Sequence, residues 1–217
     1  MFIGHVATAL AAKRWDDRPS LGTYLLAATL PDVLFSLLLL GGWEHVQIKP
    51  GHTAMMAMAF PHYPYSHSLV AVLLAGAVVA ALYFVFRRNR RASVILAILV
   101  FGHWILDVLT HVPDMPLGLS GPMVGLGLWN SIPATFAVEG LLFVAGVVLY
   151  RRATRAKDNI GRWALAAFVA LLAILYVVGP FGPPPPSAAA VTVVNNLSLW
   201  LFVLWATWID RHRRAIA

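Results

Sequence analysis

The sequence predicts an all-α, polytopic membrane protein: a six-span helical bundle with a short N-terminal helix, forming one integral membrane domain over residues 1–217. Three observations predict it. Hydrophobic residues fill 60% of the positions and charged residues only 12%, against about 25% charged in an ordinary soluble domain. That balance excludes a soluble globular chain and a disordered one. Six stretches are long and apolar enough to cross a bilayer, which takes about 20 residues at a helical rise of about 1.5 Å each. The basic residues then fall almost entirely on one side of the six-span path.

The elements follow in order. Residues 1–12 are apolar but too few to span, and no basic stretch precedes them, so they read as a short helix against the bundle rather than a signal peptide. The expected spans are 21–40, 68–86, 92–111, 133–150, 163–178 and 188–209, the fifth extended by Ile160 and Gly161. The first outer loop, 41–67, carries Trp43, Phe60, Tyr63 and Tyr65, aromatics that suit a membrane–water boundary. The second, 112–132, holds three prolines and a Gly125-to-Trp129 stretch that links no strand to a helix and so is no nucleotide fingerprint. The third, 179–187, contains Pro183 to Pro186, a stiff polyproline turn. No inverted repeat of the transporter kind is visible.

Sixteen Lys and Arg stand against nine Asp and Glu, for a formal charge of +7. On a soluble protein that would suggest a nucleic-acid partner; in this composition none is expected. Fifteen of the sixteen lie before the first span, between the second and third, between the fourth and fifth, or after the sixth; only Lys49 lies on the other side. The positive-inside rule therefore makes both chain ends cytoplasmic. There is no cysteine, so any metal must bind through imidazole, carboxylate or backbone oxygen.

Three acids, Asp32, Asp107 and Glu139, fall inside apolar spans. Each costs about 2.5–3.5 kcal/mol there unless paired, protonated or bound to a cation. Counting from the basic anchors, Asp32 lies ~21 Å into the membrane, His103 and Glu139 ~18 Å, Asp107 ~24 Å, and His67 and His111 ~30 Å. His5 is ~12 Å up and joins them if its helix tilts inward. His103, Asp107 and His111, spaced i, i+4 and i+8, share a helix face. The first two are close enough to hold one ion. His111 is too far along to ligate that same ion, and serves a second ion or acts as an acid or substrate contact. Each residue also has an ordinary reading: a His–Asp hydrogen bond within a span, a wet capping histidine at His67, a protonated Glu139 bonded to a neighbouring helix, a structural His5. Taken together these require several independent coincidences of depth.

The same residues carry a family resemblance. His5, Pro31-Asp32, Ser66-His67-Ser68 and His103-x-x-x-Asp107 resemble the motifs of the bacterial inner-membrane proteins known as membrane-bound metal-dependent hydrolases, over roughly residues 1–115 by motif and beyond that by span pattern. Leu34 stands where the family often has a second acid, and Tyr63-Pro64-Tyr65 where it prefers a His-Arg pair. The order His, Asp, His, His-x-x-x-Asp, later Glu is also similar to zinc-dependent phospholipase C and the related single-strand nucleases. That resemblance implies two or three divalent ions, zinc above all, on His5, Asp32, His67, His103 and Asp107, with His111 and Glu139 in catalysis. The substrate it implies is a lipid or lipid-linked phosphoester, whose oxygens such ions would hold. Two other functions remain: a cation or proton transporter that uses the cluster as a relay, and a structural membrane protein that the cluster stabilises.

Overall fold

A computed structural model of the chain describes residues 1–216. It is a helical bundle. Among the described residues five helices are long and apolar enough to cross a membrane, six if one bent pair counts as a single span. The bent pair is α2 (Leu21–Ala28) with α3 (Leu30–Leu40), which meet at 59°. The straight spans are α5 (Leu69–Arg87), α6 (Arg90–Thr110), α7 (Ile132–Ala153), α8 (Asn159–Val178) and α9 (Ala188–Arg211). Two short helices complete the set, α1 (Ile3–Ala12) and α4 (Pro64–His67). The fifth expected span thus begins four residues earlier than its apolar run, at Asn159.

Local chemistry explains these boundaries. Helix starts leave backbone N–H groups without partners, and Ser, Asn and Asp side chains accept from them. Ser20, Ser68, Asn89, Ser131, Asp158 and Ser187 cap α2, α5, α6, α7, α8 and α9 in this way. The break in the first span follows from Pro31, which has no N–H to donate and whose ring crowds the carbonyl four residues back. Thr29 leaves helical geometry there, at φ −113° and ψ 12°, and Pro31 becomes the second residue of α3.

The short N-terminal helix lies inside the bundle. It packs against α2, α6, α7 and α8, and eight of its ten residues are buried. A helix apolar all round belongs in a core rather than on a surface. Its approach to α7 is close: a Cβ placed on Gly146 would lie 2.8 Å from Ala7 Cα. At the periphery, α5 buries little beyond Val72 and Gly76, and exposes Leu73, Leu74, Val78, Leu82 and Phe86, as a lipid-facing helix does.

Three small antiparallel ladders close the ends. The hairpin of β1 (His45–Ile48) and β2 (Met58–His62) and the pair β3 (Met115–Pro116) with β4 (Met123–Val124) lie in the loops at one end. At the other end β5 (Thr154–Ala156) pairs with β6 (Arg213–Ala215). This second end gathers the basic segments. Lys13 Nζ lies 2.7 Å from Asp210 Oδ2, an Arg18 guanidinium nitrogen 2.7 Å from Asn89 Oδ1, and Lys157 Nζ 2.9 Å from the Arg211 carbonyl.

Candidate metal centre

The polar residues of four segments meet at the end away from the arginines. His5 comes from α1, Asp32 from the first turn of α3, His67 from α4, and His103 and Asp107 from α6. His67 sits in α4 just ahead of its span because Ser68 is extended, at ψ 150°, and caps α5. The break at Thr29 lets α3 turn Asp32 toward the same point.

Five distances define the cage. His103 Nε2 is 3.0 Å from Asp107 Oδ2, 3.4 Å from His67 Nε2 and 3.9 Å from Asp32 Oδ1. His67 Nε2 is 3.6 Å from Asp32 Oδ1 and 3.7 Å from Asp107 Oδ2. A tetrahedral ion with bonds of about 2.1 Å separates its ligand atoms by ~3.4 Å, and these five edges bracket that spacing. His5 extends the cluster: its Nε2 is 3.0 Å from Asp107 Oδ1, and its ring stacks on His103 at 3.7 Å between centroids. The Met1 amino nitrogen also contacts Asp107 Oδ1. His5, His103 and Asp107, and separately Asp32, His67 and His103, thus form buried or half-buried groupings able to hold a metal ion.

Hydrogen bonds at the far side of each ring decide which nitrogen faces inward. His103 Nδ1 is 2.8 Å from the Ala28 carbonyl oxygen, which can only accept, so Nδ1 carries a proton and, in the neutral ring, Nε2 is a lone pair. For His67 the argument runs through Ser66 and Glu44. The Glu44 carboxylate accepts from the Tyr65 and Ser66 N–H groups, each at 2.8 Å, and from the Ser66 hydroxyl at 2.6 Å. The only proton on that hydroxyl is therefore spent on Glu44, and Ser66 Oγ accepts from His67 Nδ1 at 2.7 Å. His67 Nε2 is then also a bare lone pair. With neutral rings, two imidazole nitrogens and two carboxylate oxygens face one point and none of the four donates to another, while the Met1 ammonium donates to Asp107 on its other oxygen, Oδ1. Lone pairs this close repel one another, and their nitrogen and oxygen donor set could hold a divalent transition metal.

The chain belongs to the YdjM inner membrane protein family. The family model matches residues 1–182, which contain every residue of the cage. No curated protein and no solved structure matches the chain. A YdjM inner membrane protein with apolar helices of this number is a multi-pass protein of the inner membrane.

The other two expected site residues of this YdjM protein lie apart from the cage. Glu139, fully buried on α7, accepts from the Phe2 and Gly4 N–H groups at 3.0 and 3.4 Å through Oε2. It meets the positive end of α1, where a carboxylate is favoured. Its Oε1 has no hydrogen-bond partner among the described residues. His111 stands at the C-terminal cap of α6, its ring 4.4 Å from that of Trp129. Its Nδ1 is 2.9 Å from Asp114 Oδ1, and Tyr63 donates to the same oxygen at 3.2 Å. Burial, and next the Asp114 carboxylate, push the Tyr63 phenol well above its ordinary range, so it stays a donor.

Asp32, His67, Asp107 and His111 border one cavity of about 670 Å³. Its remaining wall is largely apolar: Phe2, Phe35 and Phe60, the prolines 183 to 186, and Val191, Val194 and Phe202 of α9. Sequence reasoning missed Glu44, Ser66, Asp114 and Tyr63 as supports of the site. Glu44 had one available signal, the adjacency of Ser66 to His67, because a hydroxyl beside a ligand histidine wants a further acceptor. Nothing in the order of residues placed Glu44, 22 positions away, as that acceptor.

Proposed function

We propose that this protein is a membrane-embedded metal-dependent hydrolase that cleaves a phosphoester of a lipid or lipid-linked substrate. The observation that carries the reading is the donor-less cage of Asp32, His67, His103 and Asp107 at the wall of an apolar cavity. His103 has only Nε2 to offer, so the two groupings that share it cannot both use it. Asp107 offers Oδ2 on the side of His67 and His103 and Oδ1 on the side of His5 and the Met1 amino group, so it could contribute an oxygen to each of two ions. That arrangement supports two ions of the expected two or three, and zinc fits the imidazole and carboxylate set.

Bound there, such ions supply Lewis-acid polarisation of a phosphoryl oxygen and lower the pKa of water. The chain's own groups do the rest. Asp32, Asp107 and Glu139, if ionised, place three negative charges in low dielectric; two divalent ions leave the region net positive, which favours an anionic phosphoester. His111, with Nδ1 held by Asp114, keeps Nε2 to pass a proton to a group in the cavity. The proline turn and α9 line a path for an acyl or isoprenoid chain and keep bulk water off one side. The arginine-rich end is the cytoplasmic one in this reading, so the cage serves head groups at the outer leaflet. A cation relay would need polar groups continuing toward the arginines, but on α6 Leu96, Leu99 and Val100 are buried between Ser93 and His103.

The test is elemental analysis of the purified protein together with His103→Ala and Asp107→Ala, alongside hydrolysis of phosphoester lipids. At least one tightly bound divalent ion per chain, lost in both variants together with hydrolysis, is expected. Less than one ion, unchanged in the variants, would sink the reading. Ion-dependent flux through proteoliposomes that needs Asp107, without hydrolysis, would replace it with transport.

A further inference from the structure

The arginine-rich end holds a second cavity, of about 760 Å³. Five cations line it, Lys13, Arg14, Arg18, Arg91 and Arg152, against the acids Asp16 and Asp17. Two of the cations are already paired. Lys13 Nζ bonds Asp210 Oδ2 and the carbonyls of Asp17 and Pro19 at 2.7 to 2.8 Å. Arg18 makes two bonds to the Asp16 carboxylate, at 3.0 and 2.6 Å, and a third to Asn89. Those bonds from Arg18 hold the Asp16 carboxyl down to about 2, so Asp16 is a spent anion rather than a free one.

The other three cations have no acceptor within hydrogen-bond distance among the described residues. They come from separate segments: Arg14 from the turn after α1, Arg91 from the first turn of α6, Arg152 from the last turn of α7. Arg91 stands at the positive end of its helix, where a further cation is disfavoured. Asp17 on the same lining offsets one of these three charges, and the remaining repulsion between arginines drawn to one hollow is relieved by a further anion between them. The rest of the lining is apolar, from Trp15, Leu149, Ala153, Ala215 and Ile216. Trp15 is 53% exposed, and tryptophan at a bundle end sits at head-group level.

We propose that this cavity binds the phosphate of an anionic phospholipid from the leaflet on the arginine-rich side, with Arg14, Arg91 and Arg152 around the phosphate and Trp15 and Leu149 against the glycerol and first methylenes. Guanidinium groups match phosphate in geometry as well as charge. A soluble phosphate would use the same three arginines but leave the smaller, apolar part of the hollow wet.

Native mass spectrometry on the full chain, with phosphatidylglycerol, phosphatidylcholine or inorganic phosphate added in turn, tests this. Phosphatidylglycerol should stay bound where phosphatidylcholine leaves. The triple variant Arg14→Gln, Arg91→Gln, Arg152→Gln should weaken its retention on the order of 100-fold, from about 1 kcal/mol per basic residue. Arg87→Gln, Arg88→Gln, Arg90→Gln removes the same charge from the same end outside the cavity and should change retention far less. An unchanged melting temperature in detergent for both triples shows that the bundle is intact. Equal loss in the two triples would overturn the proposal in favour of general charge attraction. Arginine-dependent binding of inorganic phosphate without selectivity for phosphatidylglycerol would overturn it in favour of a soluble anion.

Discussion

His103 on α6 donates through Nδ1 to the carbonyl oxygen of Ala28, 2.8 Å away, and Ala28 is the last residue of α2 before the first span breaks. In an unbroken helix that carbonyl would accept from the N–H of Asp32, four residues on. The break frees it, and His103 takes it. One bend at Pro31 therefore sets the ring orientation of one cage residue, His103, and the position of another, Asp32.

Pro31→Ala returns a backbone donor to the bend and permits a continuous helix. His103 then loses its anchor, and Asp32 turns away from His67. Metal affinity should fall about 10- to 100-fold, the usual cost of losing an outer-shell partner, as read by chelator competition. Affinity within about threefold of the parent would show that tertiary packing holds the bend without the proline.

Ser66→Ala removes the hydroxyl that accepts from His67 Nδ1 and donates to Glu44. Glu44→Gln puts an amide donor where the hydroxyl now gives its proton, which disturbs the direction of the relay. Each should weaken metal binding about 10- to 100-fold without abolishing it. Combining the two should add little, because they cut one chain of bonds.

Gly146→Ala would place a Cβ 2.8 Å from Ala7 Cα. The neighbour is backbone, so α1 and α7 must separate. Overpacking of this kind costs about 1–3 kcal/mol, and a lowered melting temperature in detergent is expected. The cage should loosen with it, because His5 rides on α1.

Asp16 gives a pH signature. Its carboxyl is depressed to about 2, first by the Arg18 side-chain bonds, against about 3.9 when unfolded. A depressed acid stabilises fully above its unfolded value, and the stabilisation fades as pH falls through the folded one. Wild type should therefore exceed Asp16→Asn in melting temperature at pH 5, with the gap closing between about pH 4 and pH 2. A gap that persists at pH 2 would mean that Asp16 acts by shape rather than charge.

Orientation follows from cysteine labelling, since the chain has no cysteine of its own. Ala54→Cys should react with an impermeant reagent from outside the cell, and Arg90→Cys only after the membrane is opened. The reverse pattern would invert the topology and move the cage to the inner leaflet.

The cage was legible to the extent that its members betray themselves one at a time. Asp32 and Asp107 stand out because a carboxylate in an apolar run is costly wherever that run goes, and His103 stands out by its helical spacing from Asp107. Glu44 did not, since an acid in an outer loop looks solvated until the fold buries it against Ser66. Glu139 showed the opposite failure. Its depth was evident, but its partners are the N–H groups opening α1, and only the position of that helix inside the bundle puts them within reach.

By itself the sequence determined the class, the span count and the charge asymmetry, because each depends on local composition summed along the chain. The sequence predicts one unbroken span over 21–40, and the bend ahead of Pro31 appears only in the fold. Tertiary structure alone decided where the short first helix goes, which nitrogen of each histidine faces inward, and that four lone-pair groups from three segments meet with none donating to another. Those outcomes depend on distances between residues far apart in the chain, 102 positions for His5 and Asp107 and 137 for Phe2 and Glu139, and no periodicity along the chain encodes them.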